Sequence, residues 1–291
     1  MKEIQLSLLL NMESPASVFN EVRVIVIKII PEYGFETLEQ VFADIVSLFH
    51  GEYPGYRECT TSYHDLTHTT DTFLAMARLM HGAWEQGAHL TNKHITLGLV
   101  CALMHDTGFI QTMGDKAGTG AKYTPIHIVR SITFMGNYLD ENRINRAEFK
   151  GYPDILRCTG LDTEIDKIHF DSPQIELLGK ILGTADLLGQ MADRIYLKKL
   201  LLLYREFQDG GIKGYESELG LLRKTPGFWD LTKRRFVEEL GGVNEYMRSH
   251  FKARWNIDRD LYLEVTEKNI NYLKFILEHR KEDYREYLLR D

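Results

Sequence analysis

Apolar residues recur at intervals of three and four along most of the chain, which is the spacing of one face of an α-helix. The helix-favouring residues Leu, Glu, Lys, Arg, Ala and Met fill long stretches, and only seven prolines occur in 291 residues. This pattern predicts an all-α fold. The predicted helices, with boundaries good to a few residues, cover about residues 22–30, 35–50, 66–81, 93–105, 126–139, 173–206, 229–240 and 260–285.

The joints between the predicted helices are short and rich in turn-forming residues. Glycines bound the joints at residues 51–55, 114–120 and 210–214. None of these joints is long enough to be a clear interdomain linker, and the sequence has no internal repeat or low-complexity tract. We therefore expect a single all-helical domain over residues 1–291.

The charge balance and hydropathy exclude two classes of partner. Asp and Glu number 42 against 35 Lys and Arg, giving a net charge of -7 and no basic arm that could hold a phosphate backbone. The longest apolar run, residues 22–30, is interrupted by Arg23 and Lys28 and falls far short of the roughly 20 residues of a bilayer helix. We expect neither nucleic-acid nor membrane partners.

The amino-terminal region and the cysteines indicate the cellular compartment of the protein. The first thirty residues carry Glu3, Glu13 and Glu21 and lack both a basic start and a small-residue cleavage site, so they do not resemble a secretory signal. The three cysteines are far apart, with no CxxC pair, which is typical of free thiols in a reducing compartment. We expect a cytoplasmic protein.

Two of the eleven histidines lie at a spacing that chemistry can use. His64 and His68 are four residues apart, so on a helix or its first turn both imidazoles project from one face. Such a pair suits metal binding or acid–base catalysis, although it is equally compatible with a structural role. Most of the remaining histidines, including His81 and His250, are expected to be solvated.

Two acidic positions lie in strongly apolar surroundings. His105 and Asp106 follow the apolar run 99–104 directly, and Asp186 is the lone acid in the apolar stretch 181–190. Burying such groups costs several kcal/mol unless they are paired or bind a cation. Two histidines and two aspartates from three helices would form a mixed nitrogen and oxygen site, suited to Zn, Mn, Fe or Mg.

The order and spacing of these residues resemble a known signature series. The three motifs, Tyr63-His64-x3-His68, His105-Asp106 and Thr184-Ala185-Asp186, are similar to those of the HD-domain metal-dependent phosphohydrolases, and most similar to those of class I cyclic nucleotide phosphodiesterases. The resemblance covers roughly residues 60–230 and implies the compact helical bundle of that family.

The resemblance also implies a role for each motif residue and one or two divalent metal ions. It assigns the first metal to His68, His105, Asp106 and Asp186, with Asp106 also facing a second metal. His64 would be the general acid that protonates the leaving oxygen, a task that suits an imidazole near neutral pH.

The chain departs from the family pattern at two positions. Asp65 replaces the family's Asn after the first His, and an acid beside His64 would favour its protonated form. Phe109 falls where His-Asp-x-x-His has its second His, which changes the surroundings of the second metal. His127 resembles a later family His that contacts the second metal or a phosphate oxygen, but it is equally compatible with an ordinary buried His.

Four further residues are candidates for substrate contact. Residues 203–210 resemble the family's Glu-Phe-x-x-Gln-Gly stretch, and residues 225–228 fall where it has Gln-x-Gly-Phe. The match makes Phe228 the aromatic clamp, with core packing as the alternative, and puts Thr225 in place of the purine-binding glutamine. Arg130 and Lys116 are candidates for holding phosphate charge; Lys116 lies in the glycine-rich loop 114–122, which is either a phosphate-contacting lid or a plain surface loop.

The expected function is hydrolysis of a small nucleotide phosphoester, most plausibly a cyclic nucleotide or another phosphodiester. Three alternatives stay open: a nucleotide phosphomonoesterase, a non-catalytic module that senses metal and nucleotide, and, ranked last, a di-iron oxygenase. The charged segment 278–290 is either a solvated helix face or the surface of a homodimer.

Overall fold

Twelve α-helices and several short 3-10 turns form the regular structure of residues 5–289, the part of the chain that this computed structural model describes. No β-strand occurs within those residues, so the prediction of an all-α fold is confirmed. The helices are α1 Pro15–Ile29, α2 Glu36–Phe49, α3 Leu66–Glu85, α4 Asn92–Met104, α5 His127–Glu141, α6 Tyr152–Arg157, α7 Pro173–Met191, α8 Tyr196–Asp209, α9 Glu218–Glu238, α10 Tyr246–Trp255, α11 Leu261–His279 and α12 Tyr284–Leu288.

Helix α3 is the centre of the fold. Every residue from His68 to Ala83 is buried, because α1, α4, α7 and α10 pack around it. A surface helix would bury only one stripe of side chains. Polar residues on α3 are therefore removed from water whichever way they point, and each needs a partner inside the protein.

Side-chain caps define where several helices begin. Ser14, Asp65, Thr91 and Ser172 each accept a hydrogen bond from a backbone N–H in the first turn of α1, α3, α4 and α7 respectively. Such caps satisfy backbone groups that have no partner within the helix. The first turns of α3 and α7 thus have defined positions, which matters because α3 carries candidate site residues there.

The prediction of one helix over residues 173–206 is wrong, because the chain breaks between α7 and α8. Asp193 turns back and accepts a hydrogen bond from the Ile195 backbone N–H at 2.9 Å. The side-chain amide of Asn269 donates to the carbonyls of Met191 and Asp193, at 3.0 and 3.3 Å. These contacts satisfy backbone groups at the end of α7. A separate helix, α8, then begins at Tyr196.

Three other predicted boundaries differ from the structure, the first being the start of α1, which lies at Pro15 rather than at residue 22. Helix α9 begins at Glu218 rather than near Trp229 and includes Pro226, and the helix predicted over 260–285 ends at His279 before the short α12. The short helices α6 and α10 were not predicted, since neither has enough turns to establish a helical period.

His81 and His250 are buried, so the expectation that they are solvated is wrong. Their exposed fractions are 1% and 0%. The two Nδ1 atoms lie 3.2 Å apart where α3 meets α10, beside Trp255. Burial, reinforced by nearby cations, lowers the pKa of both imidazoles.

The structure of residues 5–289 also bears on two further expectations, that no helix spans a membrane and that the cysteines are free thiols. None of the helices between residues 5 and 289 is long and apolar enough to cross a bilayer. Cys59, Cys101 and Cys158 are all free thiols, and the last two are buried.

Gly82 and Gly227 provide a matched test of the packing around α3. A Cβ at Gly82 would lie 1.9 Å from the Tyr246 carbonyl oxygen of α10, whereas a Cβ at Gly227 of α9 would meet nothing within 4 Å. We expect Gly82→Ala to lower the free energy of unfolding by about 1–3 kcal/mol. Gly227→Ala should be neutral or stabilising by up to about 1 kcal/mol, because alanine favours helix. Urea denaturation measures both; equal effects would contradict the packing described.

Candidate metal centre

The first turn of α3 holds His68, which is 3% exposed. The Asp65 carboxylate caps the helix and accepts a hydrogen bond from the His68 backbone N–H at 2.8 Å. Lys199 of α8 lies 3.8 Å from the same carboxylate oxygen. The contacts of Asp65 are therefore with the start of α3 and with Lys199, and its direct role is to fix the position of His68.

A tight turn after α4 carries His105 and Asp106. Ser131 of α5 donates from its hydroxyl to the His105 carbonyl at 2.5 Å and accepts the Gly108 backbone N–H at 2.9 Å. A Cβ at Gly108 would lie 1.9 Å from the His127 carbonyl oxygen, so only glycine allows the turn to approach α5 this closely. The turn is thus held at both ends of its backbone.

Arg130 supports the same turn. Its Nε donates to the Gly108 carbonyl at 2.6 Å and its Nη2 donates to the Ile110 carbonyl at 2.9 Å. The guanidinium also lies 3.5 Å from the centroid of the Tyr123 ring. Arg130 therefore acts as a support for the turn, and a phosphate contact from its remaining N–H groups stays a prediction.

Four donor atoms from these elements and from α7 converge. His68 Nε2 lies 3.2 Å from His105 Nε2, 3.3 Å from Asp106 Oδ2 and 3.1 Å from Asp186 Oδ1. His105 Nε2 lies 3.2 Å from Asp106 Oδ2 and 3.7 Å from Asp186 Oδ1. The donor atoms of His68, His105 and Asp106 thus all lie within 4.8 Å of one another, and Asp186, the fourth ligand predicted from the sequence, approaches both imidazole nitrogens.

The donor set fits a divalent metal in spacing and chemistry. Two donors bound to one zinc ion at about 2.0–2.1 Å lie about 3.0–3.5 Å apart, close to the separations found here. His105 Nδ1 donates to the Ala102 carbonyl at 2.8 Å, which leaves the Nε2 lone pair for a metal. Asp106 Oδ2 is buried and has no partner with hydrogen-bond geometry, although two imidazole nitrogens lie near it.

The electrostatics of the centre favour a cation. Burial alone would lower the pKa of His68, but hydrogen bonds and charges from Asp106 and Asp186 raise it to about 10. Burial would raise the pKa of Asp106, but the adjacent imidazoles of His105 and His68 hold it well below its usual range. Two carboxylates against two imidazoles attract positive charge, which a bound divalent ion supplies.

His64 lies beside the centre with a carboxylate of its own. Its Nδ1 forms a short contact with Glu206 of α8, and the Tyr63 backbone N–H donates to the other Glu206 oxygen at 3.1 Å. Burial would lower the pKa of His64, but Glu206 outweighs it and raises the pKa. With Nδ1 engaged by Glu206, Nε2 is the nitrogen available to a reacting group.

Phe109 forms a bent stack with two histidines at the mouth of the centre. Its ring centroid lies 4.5 Å from that of His64 and 4.6 Å from that of His127. His127 Nδ1 donates to the Thr124 carbonyl at 2.7 Å, and its Nε2 lies 3.9 Å from Asp106 Oδ1. His127 and the second oxygen of Asp106 thus lie near each other, and a second metal at this position stays a prediction, to which Phe109 would contribute no donor.

Thr225 and Phe228, which were predicted to contact the substrate, make their contacts within α9 and with the hydrophobic core. Thr225 is buried and its hydroxyl donates to the Leu221 carbonyl within α9 at 3.1 Å. Phe228 is half-buried and packs against the hydrophobic core. Within residues 5–289, neither side chain contacts the four donor atoms or His64 through a hydrogen bond, ion pair or ring contact.

In the glycine-rich loop 114–122, the positive charge of Lys122 is offset by an aspartate of the same loop. Lys122 Nζ lies 2.6 Å from Asp115 Oδ1, and the Tyr123 hydroxyl donates to the same carboxylate. Lys116 is exposed. Among the cations predicted to hold phosphate charge, Lys116 is thus the one whose side chain extends into solvent.

Two residues of the centre were not predicted from the sequence. Glu206 lay in the segment compared with Glu-Phe-x-x-Gln-Gly, so a signal was present, but only the packing of α8 shows that it contacts His64. Ser131 gave no signal, because a serine inside a predicted helix has many roles.

Comparison with known proteins gives a family and no characterised relative. Residues 112–265, just over half of the chain, match the model of the Npun_R2479-like family, and the protein belongs to that family. The matched region includes His127, Asp186 and Glu206 but begins after Asp106. No match was found among curated proteins or among solved structures.

Replacing any of the four converging ligands by alanine should remove the metal. We expect His68→Ala, His105→Ala, Asp106→Ala and Asp186→Ala to lose bound metal, because each removes one donor from a shared set. His64→Ala should keep it. Elemental analysis of each variant, purified with Mn2+ present, measures this; wild-type metal content in Asp106→Ala would contradict the ligand assignment.

Ser131 should matter for metal affinity without touching the metal. We expect Ser131→Ala to weaken metal binding by about 10–100-fold, since supports of a ligand typically contribute that much. Thr133→Ala is the matched control, because Thr133 is exposed on the same helix and bonds only the Val129 carbonyl. Competition with a chelator gives both affinities; equal values would show that the turn needs no support from Ser131.

Proposed function

We propose that the protein is a metal-dependent phosphohydrolase whose substrate is a small nucleotide phosphodiester, with cyclic nucleotides as the first class to test. The observation that carries the proposal is that a cluster of metal-donor atoms and a histidine held by a carboxylate lie side by side. His68, His105 and Asp106 form a compact donor cluster that Asp186 adjoins, and His64 lies beside it with Nδ1 held by Glu206. A centre that only bound metal would not need a second, carboxylate-held histidine.

Each side chain has a definable task in such a reaction. His68, His105, Asp106 and Asp186 would hold a divalent metal, which supplies activation of a water molecule and charge neutralisation at phosphorus. His64 would donate its Nε2 proton to the leaving oxygen. Glu206 keeps the Nδ1 side of the ring fixed and favours the protonated imidazole that a general acid must be.

The charges around the centre favour a diester over a monoester. Nε and Nη2 of Arg130 donate to backbone carbonyls and Lys122 pairs with Asp115, so these two cations have little capacity left to meet a dianion. A phosphodiester carries one negative charge, and a phosphomonoester carries up to two at neutral pH. The nucleotide phosphomonoesterase is the second candidate, and a sensing module without turnover is the third.

Phe109 stacks on His64 and Tyr63 meets it edge-on, whereas Phe228 makes no ring contact with His64 within residues 5–289. Since Thr225 is engaged within α9, the purine contacts implied by the resemblance receive no support from its hydroxyl. The proposal therefore rests on phosphoester chemistry and leaves the base unassigned. The three free cysteines support the expected cytoplasmic location, where nucleotides are available.

Hydrolysis of paired model substrates tests the proposal. With Mn2+, Mg2+ or Zn2+ we expect bis-p-nitrophenyl phosphate to be cleaved faster than p-nitrophenyl phosphate, and a cyclic nucleotide to open without release of orthophosphate. His64→Ala should lower kcat by about 10²–10⁴-fold while keeping metal. Glu206→Gln should lower kcat more than it changes KM, as expected of a positioning residue.

The exposed His169 provides the control for these variants. His169→Ala should match wild type in kcat and metal content. Faster cleavage of the monoester with release of orthophosphate would favour the phosphomonoesterase. Bound metal with no hydrolysis of either substrate would contradict the proposal and favour a sensing module.

A further inference from the structure

Arg78 is a buried cation without a counter-ion. It lies in the middle of α3 with 1% of its surface exposed. Its Nη1 donates to the Tyr262 hydroxyl at 2.9 Å, but Nε and Nη2 have no partner. No carboxylate within residues 5–289 approaches it within ion-pair distance.

The surroundings of Arg78 offset its charge only in part. The guanidinium carbon lies 5.5 Å from the Phe251 ring centroid, 5.9 Å from that of Trp255 and 5.5 Å from that of Tyr262. The attraction of ring faces for a cation is weaker than the cost of burying an ion. An arginine cannot escape this cost by losing its proton. A bound anion would remove the imbalance.

A cavity of about 870 Å3 adjoins Arg78. It lies between α3, the end of α7, α11 and the amino-terminal segment 5–13, away from the four converging ligands. The volume is within the range of about 300–1,000 Å3 that is typical of small-molecule sites. Much of its wall is apolar, and this wall includes Leu6, Leu9, Leu10, Met12, Leu261 and Val265.

The other charges on the wall do not neutralise Arg78: Glu264 lies 3.1 Å from Arg259, and Lys268 is an exposed cation. Asp193 lies 2.8 Å from Lys199, and Arg194 lies 3.5 Å from Glu13. Asp71, two turns before Arg78 on α3, is buried with an unpartnered Oδ1. Burial and the charge of Asp193 raise its pKa to about 8, so its charged form is disfavoured, and it does not lie within ion-pair distance of Arg78.

We propose that this cavity binds a small apolar monocarboxylate, whose carboxylate pairs with Nε and Nη2 of Arg78 and whose apolar body lies against the leucines of segment 5–13 and α11. Nε–H and Nη2–H form one edge of the guanidinium, and a carboxylate accepts from both at once. A single guanidinium matches one negative charge, and the apolar wall favours a hydrocarbon body over a sugar or a nucleotide.

Binding of octanoate against octanol tests the charge requirement. Wild type should bind octanoate with one site per chain by calorimetry and bind octanol at least 10-fold more weakly. Arg78→Met keeps the side-chain bulk and removes the charge, so it should lower octanoate affinity at least 10-fold and leave octanol unchanged. Equal binding of the two ligands by wild type, or no octanoate binding at about 1 mM, would overturn the proposal.

A pair of tryptophan substitutions tests the location and does not require Arg78 to be changed. Val265→Trp fills the cavity and should abolish octanoate binding, whereas Val237→Trp, at a position 71% exposed on α9, should leave it unchanged. Metal content should be equal in all variants, which separates this site from the metal centre. Wild-type octanoate affinity in Val265→Trp would place the ligand elsewhere and overturn the proposal.

Discussion

The attraction of the buried Asp106 and the partly buried Asp186 for a shared cation is the interaction on which the candidate centre depends. Asp106 Oδ2 lies 3.2–3.3 Å from two imidazole nitrogens, and those nitrogens lie 3.2 Å from each other. In a low-dielectric interior neither the carboxylates nor the facing lone pairs are stable together without positive charge between them. The cap on α3 and the Ser131 contacts serve to hold these donors against that repulsion.

Burial of α3 from His68 to Ala83 explains why each of its polar residues needs a partner inside the protein. A helix with an exposed face can direct charged side chains to water, but α3 has no such face from His68 to Ala83. His68 is stabilised by the aspartates, His81 by its neutral form beside His250, and Arg78 by aromatic rings. The same constraint thus accounts for the candidate metal centre at the start of the helix and for the proposed anion cavity further along it.

Sequence reasoning was most effective where polar residues interrupted apolar runs. His105, Asp106 and Asp186 could be identified because an acid in an apolar helix needs a partner, and the structure brings them together with His68. The pairing of Glu206 with His64 could not be predicted, since it depends on the break between α7 and α8 that the helical pattern did not reveal. Arg78 gave no signal either, because a lone arginine in a helix usually reaches solvent.

Anomalous diffraction from crystals grown with Mn2+ tests the central claim most directly, because it locates the metal without reference to activity. The account predicts a peak within about 2.0–2.3 Å of His68 Nε2, His105 Nε2, Asp106 Oδ2 and Asp186 Oδ1. A protein that holds Mn2+ elsewhere, with no peak among these four atoms, would contradict it.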